Sequence, residues 1–149
     1  MIDSTQLSNL IGAILANLMN ILLISIFIAR LSERPKIEHW LGIILLLSIV
    51  PLTYLFISGI SIRRPLLYFI QIGLMMTYLV VEFLLDYLLK VDFRQTPRIV
   101  IPYLMLFFSG AGGMIGVASQ AGRGWSIVTI ISFLLMVILS LVQRYLTGQ

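Results

Sequence analysis

Two carboxylates in the stretch VEFLLDYLLKVDFR, residues 81–94, are the first candidates for chemistry. Glu82 and Asp86 stand about one helical turn apart at the end of a long apolar run. A carboxylate in such a run can hold a proton, a cation or an arginine. A charge at bilayer depth costs a few kcal/mol or more, so it normally faces the protein interior and has a companion there. At 100° per residue, Gln71, Met75, Tyr78, Glu82 and Asp86 share one narrow arc, with Leu, Val and Phe opposite. The arc is expected to face protein, which makes Glu82, Asp86, Tyr78 and Gln71 the candidate ligand- or proton-binding residues.

The two acids differ in depth. Asp86 has Lys90 at i+4 in the favourable acid-before-base order, so an ion pair between them is expected. Glu82, counted back from Leu89, lies roughly 10 Å inside that end of the helix. Loss of water, the second carboxylate and the negative end of the helix dipole all oppose its ionised form there. Arg30, Arg34 or Arg98 from neighbouring loops, or a bound proton, are the expected companions. His39, Asn17 and Asn20 are further candidate neighbours.

Other chemistries have weaker signals. Glu82, Asp86 and Asp92 could hold Mg²⁺ against a diphosphate met by Arg94 and Arg98, but the acidic motif is sparse for that. His39 is the only histidine and there is no cysteine, so multi-histidine and thiolate metal sites are excluded within one chain. No metal site is expected, no catalytic residue is assigned, and no cofactor is indicated. The glycine-rich SGAGGMIGVASQAG, residues 109–122, has neither the dinucleotide-binding spacing nor the Lys-Ser/Thr ending of a phosphate loop.

The elements that must position these residues follow from composition. Of 149 residues, 60% are hydrophobic and 11% charged, against about a quarter charged in soluble domains. So few charges cannot cover the surface of a chain this short, and lipid is the natural solvent. The net charge of +4 is dispersed through short loops, which argues against nucleic acid as a partner. No basic segment precedes the first apolar run, so a cleavable signal peptide is not expected.

Crossing a bilayer takes about 20 apolar residues. Residues 7–29, 40–62, 66–89, 99–121 and 125–145 meet that length, giving one all-α transmembrane domain of five helices over residues 1–149, packed as a compact bundle. Pro65 and Thr96-Pro97 read as helix starts, Gly59 as an end, and QAGRG as a break. Pro51 and Pro102 are expected to kink their helices. Seven basic residues (Arg30, Arg34, Lys36, Lys90, Arg94, Arg98, Arg144) fall on one side and three (Arg63, Arg64, Arg123) on the other. That bias predicts the N-terminus outside and the C-terminus in the cytoplasm, in a prokaryotic cytoplasmic (inner) membrane.

Small residues mark the packing faces. Gly12 and Ala16, with Asn9, Asn17 and Asn20 at helical spacing, predict a helix–helix contact on the first span. Gly112 and Gly116 form a GxxxG pair on the fourth, with local unwinding around a cavity as the alternative. In layout alone, five spans in about this length, the chain resembles the translocator-protein family. That family's tryptophan- and proline-rich signature is absent, and nothing about ligand or residues is implied.

Three functions fit, in this order. The first is a small membrane protein that binds or transports a small molecule, ion or proton at Glu82, as a homo-oligomer where a permeation path requires one. The second is an accessory or assembly subunit of a larger membrane complex. The third is a membrane-embedded enzyme on a lipid or isoprenoid.

Overall fold

The computed structural model describes residues 3–148 and contains no strand among them. Its helices are α1 (Ser4–Leu31), α2 (Pro35–Leu47), α3 (Ile49–Ile62), α4 (Leu66–Glu82), α5 (Pro97–Ser119) and α6 (Arg123–Thr147). A π-helical segment, Phe83–Leu88, extends α4. With α2 and α3 counted as one rod, five helices are long and apolar enough to cross a membrane.

Local chemistry explains where they stop. After α1, Glu33 takes a left-handed conformation (φ 52°). The N–H of Arg34 then reaches back to the carbonyl of Ala29 at 2.9 Å and that of Glu33 to Arg30 at 3.2 Å. This is a Schellman ending, which satisfies the orphan carbonyls of the last turn. The same motif closes α3 on Arg63 (φ 58°), whose neighbour Arg64 bonds to the carbonyl of Gly59 at 3.0 Å. Gly59 is thus not the stop expected from its residue type. It is buried, where a Cβ would come within 2.9 Å of the Tyr68 ring.

The two internal prolines behave differently. The second rod breaks at Ser48, three residues before Pro51, whose missing N–H leaves the Leu47 carbonyl without its helical partner. α5, by contrast, runs unbroken through Pro102. Only the carbonyl of Arg98 loses its partner there, in the first turn.

α1 is the central helix and touches α2, α3, α5 and α6, while α4 lies along α5. The α1–α6 contact is polar. The Asn17 amide donates to Thr129 Oγ1 at 2.8 Å and to its own helix at Ala13 at 2.9 Å. Asn20 donates to Ser132 Oγ at 2.9 Å. Both asparagines are buried, and neither reaches Glu82. Their expected role as neighbours of that acid gives way to one in helix packing, because the face they occupy is turned to α6.

The α4–α5 contact depends on absent side chains. A Cβ on Gly110 would lie 3.2 Å from Met75 Cα, and one on Gly113 3.3 Å from Gln71 Cα. At Gly116 it would strike the Gln71 amide. The close-approach row is therefore 110, 113 and 116, spaced by three. Gly112 instead faces Phe133 of α6 at an ordinary 3.7 Å. α5 stays helical through this stretch, so the unwound alternative is corrected. On α1, Gly12 sits against Val117 of α5, and Ala16 is fully buried.

Gly110→Leu is expected to force α5 away from α4, destabilising the bundle by about 1–3 kcal/mol. Gly73→Ala, where nothing lies within 4 Å, should leave stability unchanged or slightly raised. Thermal unfolding in detergent, followed by circular dichroism, compares the two. Equal melting shifts would contradict the close approach.

Candidate binding site

The expected acidic arc is present, but its partners come from other elements. Met75 and Tyr78 are buried, and Glu82 is half-buried in the last turn of α4. The Tyr103 hydroxyl, from α5, donates a hydrogen bond to Glu82 Oε2. Tyr103 and Tyr78 hydroxyls stand 3.5 Å apart, which extends the network along the arc. Gln71 shares the arc by angle only. Eleven residues separate it from Glu82, roughly 16 Å of helix, and its amide lies under Gly116.

Beyond Glu82 the backbone widens. Leu89 N–H bonds to the carbonyl of Leu84 at 2.8 Å, five residues back, and Lys90 turns left-handed (φ 50°). The i+4 rule holds for an α-helix, and here the helix has become a π turn that ends before Lys90. Lys90 is exposed and does not pair with Asp86. Its place is taken by Arg94, whose Nη1 donates to Asp86 Oδ1 at 3.0 Å and Nη2 to Oδ2 at 2.5 Å. Phe93 makes that possible. Its ring is fully buried against Tyr103, centroids 4.7 Å apart, and pins the loop so that Arg94 folds back over Asp86. Burial works against the Arg94 charge, but the hydrogen bonds and negative charge of Asp86 outweigh it and raise its pKa. The guanidinium stays charged at any pH the protein meets.

A second pair closes the neighbouring turn. Arg30, in the last turn of α1, donates from Nε to Glu38 Oε1 of α2 at 2.8 Å. Arg30 and Arg94 are thus both engaged by carboxylates other than Glu82. Arg34 and Arg98 are exposed and border neither cleft described below, so they are not its companions. Loop arginines close to a span were the right residue type, but which one folds inward depends on Phe93 and on the turn after α1.

Two clefts meet at Glu82. One is a cavity of about 80 Å³ among α1, α4, α5 and α6, walled by Leu23, Phe27, Tyr78, Tyr103 and Phe107, with Arg30, Arg94 and Arg144 also bordering it. The other, about 210 Å³, is polar and lies between α1, α2 and the π turn, with Glu38, His39, Asp86 and Tyr87 on its walls. Ile26, Arg30 and Glu82 belong to both. His39 therefore does border the same space as both acids. It is exposed, its ring 5.3 Å from that of Tyr87, whose hydroxyl donates to the His39 carbonyl at 3.2 Å. Gly42 allows this, since a Cβ there would strike the Tyr87 hydroxyl. Among the described residues, no three His, Asp or Glu side chains are grouped to hold a metal ion.

Sequence reasoning missed Tyr103, Phe93, Arg144 and the partner roles of Arg94 and Glu38. The pairs carried a faint signal. Arg30–Glu38 and Asp86–Arg94 each place opposite charges on the two sides of one tight connection.

Compared with protein-family models, curated proteins and solved structures, the chain matches none.

Breaking the Asp86–Arg94 pair from one side should destabilise the fold more than removing both charges. Asp86→Asn and Arg94→Gln singly, then together, form a double-mutant cycle with an expected coupling of about 1–3 kcal/mol. Chemical unfolding in mild detergent measures it. Additive losses would place the two side chains apart.

Proposed function

We propose that the protein is a polytopic membrane protein that binds, or carries across the membrane, a small molecule or ion at Glu82. One observation carries the reading: Glu82 borders both clefts, and among the described residues no arginine or lysine pairs with it. Its nearest answer is a neutral phenol. A half-buried carboxylate without a countercharge is an uncompensated cost in a fold that has paired the acids on either side of it. A bound ligand or proton is the simplest compensation, and the adjoining cavities supply the room.

Insertion in a membrane is supported by the surface. Large apolar side chains such as Leu47, Val50, Leu66, Met105 and Ile138 face outward, while Asn17, Asn20, Thr129 and Gln143 are buried. This polarity is reversed relative to a protein that folds in water. The Lys/Arg bias supports an external N-terminus and a cytoplasmic C-terminus in a cytoplasmic membrane. Both clefts then open toward the cytoplasmic side, where Arg30, Arg94 and Arg144 come together. Five helices make a narrow bundle, so carriage across the membrane, as distinct from binding, calls for a second copy alongside.

Native mass spectrometry of the purified protein tests the site. The wild type should retain a non-lipid mass, or a tightly held single lipid, that Glu82→Gln loses. Identical adducts in both, with only annular lipid, would remove the binding reading; obligate co-purification with another subunit would favour an accessory role. Topology is tested separately, since the chain has no cysteine. Gly124→Cys should react with an impermeant thiol reagent in intact cells, and Thr147→Cys only after permeabilisation. The opposite pattern would invert the bundle.

A further inference from the structure

The walls around Glu82 restrict what can answer its charge. We propose that the ligand is a small hydrophobic cation, a quaternary or protonated amine with apolar substituents. Its charged head would rest against Glu82 and its body in the cavity among α1, α4, α5 and α6. This rests on the reading of Glu82 as the binding residue and adds the ligand's chemical class.

Of the charged groups around the cavity, Arg30 is held by Glu38 and Arg94 by Asp86. Arg144, in the last turn of α6, also borders the cavity, is half-exposed, and makes no ion pair among the described residues. His39 and Tyr87 lie on the other cleft. Glu82 and Arg144 are thus the two charges on these walls without an ion-pair partner among the described residues. Glu82 is the one that borders both clefts and stands against the tyrosine rings, so an anionic ligand there would have to approach it against its charge. A neutral ligand would leave it uncompensated.

Hydration separates the cations. Mg²⁺ and Ca²⁺ need about six or more oxygen ligands, several of them carboxylates or waters held in place. Here one carboxylate stands with two phenols, and the arginines on the walls repel a divalent cation. Ser140 and Gln143 add the only other uncharged polar side chains of the lining, and the rest is aliphatic and aromatic. A cation that sheds water easily suits such walls. Aromatic faces attract it through their quadrupole, most strongly where water is excluded.

Shape agrees. The rings of Tyr78, Tyr103 and Phe107 form one cluster: Tyr78 lies 5.8 Å from Tyr103 and 5.2 Å from Phe107, both at steep angles. The cavity of about 80 Å³ has room for roughly six water-sized groups, enough for a trimethylammonium head and the start of its substituent. Leu23, Ile26 and Phe107 line the space beyond.

Phenyltrimethylammonium is a suitable probe because its charge does not titrate, and benzenesulfonate is its anionic counterpart of similar size. Equilibrium dialysis would use the full-length protein in detergent against empty micelles. Saturable binding of the cation and none of the sulfonate are expected. Glu82→Gln should weaken cation binding at least tenfold, whereas Tyr103→Phe, which keeps the ring, should stay within about threefold of wild type. Sulfonate preference, no saturable cation binding, or equal binding by wild type and a folded Glu82→Gln would each overturn the cation class. The class alone falls if the native mass lost in Glu82→Gln is nevertheless observed; the site falls with it if that mass is also absent. Should Glu82→Gln fail to fold, the comparison of cation with sulfonate on wild type still decides the sign of the ligand's charge.

Discussion

A charge held away from water must be answered within a few ångströms, and this constraint organises one end of the molecule. Asp86 is met by Arg94 and Glu38 by Arg30. Each pair ties a helix end to the chain that follows it, so the α1–α2 turn and the α4–α5 loop are fixed by electrostatics as much as by packing. The π turn belongs to the same solution. One wider turn after Glu82 releases Lys90 to the surface and leaves Asp86 facing the loop, where Phe93 has already delivered Arg94. Glu82 is the carboxylate left over, and a tyrosine pair stands where a cation would otherwise be required.

Elsewhere the helices are joined by other means. Between helices in lipid there is little hydrophobic driving force, since acyl chains are as apolar as leucine. The α4–α5 seam instead relies on glycines that let backbones meet, and the α1–α6 seam on amide and hydroxyl bonds. These seams put Tyr103 beside Glu82: with α5 held close to α4 by Gly110 and Gly113, the phenol two turns before Gly110 falls within reach of the acid. A displacement of α5 by one side chain's width would break that bond before it broke the helix.

What could be read from the sequence follows the range of the interaction involved. Five helices were legible because length and apolar content are local properties, and their ends moved by only a few residues. The rod breaks beside Pro51, as its missing donor implies, while α5 continues through Pro102, which lies close to its start. Tyr78 and Glu82 were legible together because one helix carries both. Gln71 shows the limit of that reasoning: an angular arc says nothing about height, and three turns separate it from the acid. Tyr103, Arg94 and Arg144 reach the site through tertiary packing, and no spacing within one helix could place them. The expected Asp86–Lys90 pair failed because the α-helical rule was applied across a turn that is not α-helical.

The two ends of the bundle are unlike, and that difference bears on how a ligand would move. At the end opposite the clefts, Arg64 donates to Asn9 of α1, reaches Gln120 beyond α5 at 3.4 Å, and lies 5.1 Å from the Tyr68 ring. One side chain thus bridges three elements at that end. The end with Glu82 is held only at its turns and keeps its cavities. On the proposed reading, a ligand would reach the acid from the end that carries both clefts. Binding then asks the Tyr103 hydroxyl to give up its bond, whereas passage through the protein would also require Arg64 to release Asn9 and Gln120. On that reading the step that would separate a carrier from a binding protein lies at Arg64, about the length of α4 away from Glu82.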